Sequence, residues 1–122
     1  MRLSLKKSFN NWIEIEGEDG KVKFLIDYPT REQEQELQSI LFSKKYTGDD
    51  LGLKYSQRYL KYVIKDWEGL FDDDGNAVKC EIVNNELEDD LWWSLVKDGA
   101  NALNLFLEFN KELTFTPNDK KK

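Results

Sequence analysis

Alternation of apolar and polar residues in two neighbouring runs is the clearest pattern in the chain. Asn11 to Glu16 reads N-W-I-E-I-E, and Lys21 to Tyr28 reads K-V-K-F-L-I-D-Y. A period of two marks half-buried strands, and Asp19-Gly20 between the runs tolerates the positive φ of a tight hairpin turn. With those two residues as the turn, Glu18 faces Lys21, Glu16 faces Lys23, Ile15 faces Phe24 and Ile13 faces Ile26. Opposite charges then share one face and apolar pairs the other, with Trp12 and Leu25 on the charged face. A short further strand is expected at Leu3 to Lys6.

After Pro29 the period changes. Thr30 has the character of an N-cap and Gln33 that of its capping-box partner, which predicts a helix from Arg31 to Phe42. Leu37, Ile40 and Leu41 form its apolar stripe, and the R-E-Q-E-Q-E run forms its solvated face. Ser43 to Lys54, with Gly48, Asp49, Asp50 and Gly52, reads as a loop. Tyr59, Leu60, Val63, Ile64 and Trp67 recur at helical spacing, so a second helix is expected from Tyr55 to about Trp67. Gly69 and the run Asp72-Asp73-Asp74-Gly75-Asn76 break it with a tight turn or small hairpin. Asn85, with Glu88 three residues on, reads as the N-cap of a helical pattern reaching about Leu113, divided or kinked at Gly99. Thr114 to Lys122 is expected to fray. The sum is an α+β fold, an N-terminal antiparallel β-hairpin packed on a helical body of three to four helices. It occupies one domain, residues 1–116, with residues 117–122 expected as a disordered basic tail.

Composition narrows the chemistry. The 122 residues are 39% hydrophobic, 34% charged and 13% aromatic, too aromatic for a disordered chain. There is no histidine, which removes the commonest general base and His-containing zinc sites. The single cysteine, Cys80, cannot form an internal disulfide or a cysteine metal cluster, and is expected to be a small half-buried residue. Without a long apolar run no membrane-spanning helix is expected, and Met1 to Phe9 lacks the apolar block of a signal peptide. A cytoplasmic protein that does not engage membranes is the expectation. The formal charge of −6 is uneven, with ten acids and one base, Lys79, between Asp66 and Asp90. That balance speaks against nucleic acid as a partner.

No motif points to a catalytic residue, a cofactor or a metal. The acidic turn fails as a calcium loop opened by Asp72, because Ala77 stands where glycine is needed and Val83 where glutamate closes the site. The serines have no histidine to activate them, and no glycine loop has the phosphate-cradling spacing. The informative features are aromatic. Trp92 and Trp93 point about 100° apart on a helix, so Trp92 joins the apolar face and Trp93 is left partly exposed as a candidate binding anchor. Leu105, Phe106, Leu107 and Phe109 surround the last helix on nearly all sides. Either that helix is central or it buries one side in a partner, so Phe106 and Phe109 join Trp93 as candidate partner-binding residues.

The order of these motifs resembles the small tail assembly chaperones of long-tailed bacteriophages and prophages. The residues that carry the likeness are Trp12-Ile13-Glu14-Ile15, the hairpin ending Phe24-Leu25-Ile26-Asp27-Tyr28, and Val63-Ile64-Lys65-Asp66-Trp67-Glu68-Gly69-Leu70 followed by Asp72-Asp73-Asp74-Gly75. In that group a helix ending in Asp-Trp-x-Gly, then a short Asp-x-x-Gly turn, is recurrent. The likeness spans roughly residues 9–110, and Trp92-Trp93 has no counterpart in it. It implies a non-enzymatic role: binding the tape measure protein and keeping its long helices soluble until the tail tube protein polymerises, with contact to the tail tube protein and self-association as further expectations. Trp67, Gly69, Asp72 and Gly75, matched to the motif, are then structural, Trp67 closing the helix face and Gly69 permitting a sharp exit. Many members also exist in a longer frameshifted form, for which an A-rich codon run at Lys120-Lys121-Lys122 would be the slippage site. A second reading, from the acidic stretch Asp66 to Asp90, is a phage-encoded inhibitor or adaptor that binds a basic host protein.

Overall fold

The two alternating runs pair as antiparallel strands β1 (Asn11–Gly17) and β2 (Gly20–Ile26) in a computed structural model that describes residues 11–17 and 20–114. The strand expected at Leu3 to Lys6 and the tail at 117–122 lie outside the described residues. The charged and apolar faces are as expected, but the partners are shifted by two. Glu16 faces Lys21, Glu14 faces Lys23, Ile15 faces Val22 and Ile13 faces Phe24, and the ladder closes at Gly17 and Gly20. Gly20 therefore belongs to the ladder, at a φ of +132°, rather than to the turn. Side-chain alternation fixes the face but not the partner, because a slip of two leaves each side chain on its side of the sheet.

Helix α1 (Arg31–Phe42) has the expected bounds. Its capping box is closed: Thr30 Oγ1 accepts from the Gln33 N–H at 3.2 Å, and Gln33 Oε1 accepts from the Thr30 N–H at 2.9 Å. Each bond satisfies a donor that a helix start or its entry would otherwise leave unpaired. The solvated face has one exception. Gln33 is buried, because its Nε2 also donates to the Asn85 carbonyl at 2.9 Å. Of the expected stripe, Leu37 is in the core and Leu41 is exposed.

The next segment departs most from the sequence reading. Helix α2 (Gly48–Val63) begins seven residues earlier than expected and ends before Ile64. Asp49 and Asp50, read above as loop residues, lie in its first turn, where carboxylates favour the positive end of the helix dipole. Ile64–Glu68 is a strand, β3, that pairs with β2 and completes a sheet of order β1-β2-β3. Trp67 therefore closes no helix; it lies opposite Phe24 on the sheet. The register shows why the spacing misled. Ile26 pairs with Ile64 but Leu25 pairs with Asp66, so Lys65 is an extra residue in a bulge. The bulge turns both Ile64 and Trp67 inward, three positions apart, which imitates a helical repeat.

Gly69 leaves the strand at a φ of +92°, and a Cβ there would lie 2.7 Å from the Lys21 carbonyl oxygen. Only glycine fits both the left-handed backbone and that approach. The Asp72 to Asn76 run is a tight turn bridged by Phe71 and Ala77. Asp72 Oδ1 accepts from the N–H groups of Asp74 and Asn76, both at 2.9 Å, and Gly75 turns the chain at a φ of +82°.

Asn85 is not an N-cap. Asn84 and Asn85 both have positive φ, 53° and 65°, and form the two-residue turn between β4 (Ile82–Val83) and β5 (Glu86–Leu87). Glu88 is the cap instead, its carboxylate accepting from the N–H of Asp90 at 2.7 Å and of Leu91 at 3.3 Å. Helix α3 (Asp89–Val96) follows, and Gly99 opens α4 (Gly99–Thr114), so the chain divides where glycine stood in the pattern. The core joins the inner face of the sheet (Phe24, Ile26, Ile64, Trp67) to α2 (Leu60, Tyr62, Val63) and α4 (Ala102, Leu105, Phe109, Leu113). The fold is α+β, and among the described residues no helix is long and apolar enough to cross a membrane.

Candidate functional site

Helix α3 is fixed to α2 by two hydrogen bonds that run in opposite directions. The Trp92 indole Nε1 donates to the Gln57 carbonyl at 2.7 Å, and the buried Gln57 amide donates to the Val96 carbonyl at 3.0 Å. The second bond satisfies one of the carbonyls left unpaired at a helix C-terminus. Lys61 adds a third tie. Its ammonium, on a side chain only 7% exposed, donates to the Leu87 carbonyl at 2.9 Å and to Asp89 Oδ1 at 2.5 Å, while Asp89 itself is 87% exposed. The hydrogen bond to Lys61 holds the Asp89 carboxyl below its ordinary value.

This anchoring leaves an open cleft of about 370 Å³ between α1 and α3, floored by α2. Glu36, Ser39 and Ile40 line it from α1, Tyr46 from the following loop, Lys54, Gln57 and Arg58 from α2, and Trp92 and Trp93 from α3. Arg58 lies 5.3 Å from the centre of the Trp92 ring, and Lys45 and Lys54 lie 5.5 and 6.0 Å from that of Tyr46. Glu36 accepts a hydrogen bond from the Tyr62 hydroxyl, and burial together with that bond pushes the Tyr62 phenol above its usual range.

Comparison with protein-family models, curated proteins and solved structures matched nothing to this chain. The site is thus read from its geometry.

The three candidate contact residues separate. Trp93 is 53% exposed and stands at the rim of the cleft, 6.1 Å from Trp92 between ring centres. Phe109 is 0% exposed and packs edge-on against Phe24 at 5.2 Å, so it is a core residue and not contact surface. Phe106 is partly buried against Tyr55 and Tyr59, at 5.8 and 5.0 Å, and does not line the cleft. The exposed side of α4 is carried by Leu103 and Leu107 instead. A stripe of Ala102, Leu105, Phe109 and Leu113 takes the inward side at helical spacing, and Leu107 cannot join it.

The motif residues have local roles. Trp67 packs edge-on against Phe24 at 6.4 Å and donates its Nε1 to the Val78 carbonyl at 2.8 Å. Asp72 and Gly75 shape the turn. Cys80 is partly buried, and burial with nearby Asp66 and Glu81 pushes its thiol up to about 11, away from nucleophile chemistry. Sequence reasoning passed over Lys54, Gln57, Arg58 and Lys61. Their spacing was a usable signal, since residues three and four apart share one helix face.

Proposed function

We propose that this protein acts by binding, without catalysis, as a tail assembly chaperone that takes an amphipathic helix of the tape measure protein on the cleft between α1 and α3. The observation that carries this reading is Trp93, half in water at the rim of an aromatic cleft whose floor is held rigid by Trp92 and Gln57. A half-exposed tryptophan beside a hydrogen-bonded floor is a usual anchor of protein contacts, and a groove between helices suits a helical occupant. Asp66-Trp67-Glu68-Gly69 lies on and just after a strand, where the resemblance implies a helix end, so the reading rests on the cleft rather than on that motif. The proposed place of action is the cytoplasm of the infected or lysogenic cell. Contact with the tail tube protein and self-association would belong to later steps of the same assembly.

The test is co-expression with tape measure fragments encoded near the gene. Co-purification that is lost in Trp93→Ala and kept in Leu107→Ala supports the reading. Failure of the unaltered chain to retain any fragment, or a gene lying among metabolic genes, overturns it. The alternative, an acidic inhibitor or adaptor for a basic host protein, draws less support. Four of the ten acids between Asp66 and Asp90 accept internal hydrogen bonds: Asp66, Asp72, Glu88 and Asp89.

A further inference from the structure

The cleft has a charge opposite to that of the whole chain. Net charge is −6, yet Lys54 and Arg58 line the cleft beside its aromatic rings, and Lys45 lies over the ring of Tyr46, which also lines it. Among the described residues, none of the three has a carboxylate within the 4.0 Å of an ion pair. The one acid in the lining, Glu36, is already engaged by the Tyr62 hydroxyl. Lys54 and Arg58 are four residues apart on α2, so their side chains leave the helix about 6 Å from each other.

We infer that the cleft selects an amphipathic helix carrying two carboxylates one turn apart beside its apolar stripe. The apolar side chains would lie against Trp92, Trp93 and Ile40, and the carboxylates would meet Lys54 and Arg58. Carboxylate pairing adds charge-assisted hydrogen bonds to an apolar contact, and it discriminates against helices with a basic flank by leaving like charges opposed. A single-stranded nucleic acid would also stack on aromatic rings and meet cations, but the surrounding chain of charge −6 repels a polyphosphate backbone. This inference rests on the cleft being the binding surface of the proposed function; it adds the chemistry of the occupant.

Isothermal titration calorimetry on the full chain tests it with three probes. One is a synthetic helical peptide with a leucine stripe and two glutamates one turn apart beside it. The second is the same peptide with lysines in place of the glutamates, and the third is an oligothymidylate. The glutamate peptide is expected to bind about tenfold more tightly than the lysine peptide. Raising the salt narrows that gap. The exposed double variant Lys45→Glu and Lys54→Glu reverses the preference, with circular dichroism unchanged. Equal binding of the two peptides, tighter binding of the lysine peptide, binding of neither, or tighter binding of the oligothymidylate overturns the inference. Retention of tape measure fragments with no peptide preference would sink this inference alone. A glutamate preference with no retained fragment would sink the tape measure reading alone.

Discussion

Two aromatic regions of this molecule use the same residue types to opposite ends. At the junction of sheet, α2 and α4, Phe24 lies edge-on to both Trp67 and Phe109, and the Trp67 indole is satisfied by the Val78 carbonyl. These rings are closed off from water. At the α1–α3 cleft the rings are only partly closed: Trp92 is bonded to Gln57 and lies beneath Arg58, Tyr46 lies beneath Lys45 and Lys54, and Trp93 is half exposed. An aromatic ring stabilises the fold in proportion to the apolar area it removes from water. A ring left half in water keeps that area for a partner. The first region is therefore where stability should concentrate, and the second is where binding should be lost first.

The comparison can be broken by substitution, beginning where the effect is largest. Phe109→Ala should cost about 3–5 kcal/mol, since it opens a cavity against Phe24 in the sealed region. Urea denaturation measures it, and a loss comparable to that of a surface residue would mean the junction is not the stable centre. Gly69→Ala should cost about 1–3 kcal/mol through strain at positive φ and the close approach to the Lys21 carbonyl. The same measurement applies, and β2–β3 amides should lose hydrogen-exchange protection first. Trp93→Ala should cost only about 1 kcal/mol of stability. It should nevertheless reduce partner binding more than any substitution in the core that still folds.

The smallest effect is a pH dependence at the Lys61–Asp89 tie between α2 and α3. The Asp89 carboxyl titrates below its ordinary 3.8 because Lys61 bonds its charged form. A depressed carboxylate contributes stability above the unfolded value and loses it as pH falls through the folded one. In Lys61→Met the Asp89 midpoint should therefore rise, and the acid limb of the stability curve should become less steep. Carbon-detected NMR titration of the carboxyl reads this directly; an unmoved midpoint would separate Asp89 from Lys61.

Much of this was legible in the order of residues, and the misses share a cause. The alternation at Asn11 to Glu16, the capping pair Thr30 and Gln33, and the division at Gly99 are local signals read locally. Trp92 and Trp93 also parted as adjacent helix positions must. The hairpin partners, by contrast, were left open by the alternation, because registers two residues apart bury the same face. Val63 to Trp67 carried a helical spacing that only a bulge against β2 explains. Asn85 had the short polar side chain of both a cap and a left-handed turn, and pairing between Val83 and Glu86 chose the turn. Phe106 and Phe109 were equally apolar, and the position of α4 over the sheet decided which was sealed.

The sequence by itself thus determined the fold class, the start of α1 and the turn at Asp72 to Gly75, since each follows from residue type and spacing along one segment. Tertiary structure alone decided the pairing of β2 with β3, the fate of the Asp66-Trp67-Glu68-Gly69 segment and the make-up of the cleft. Those depend on residues far apart in the chain, Tyr46, Arg58 and Trp93 among them, meeting at one surface, and no local period encodes such a meeting.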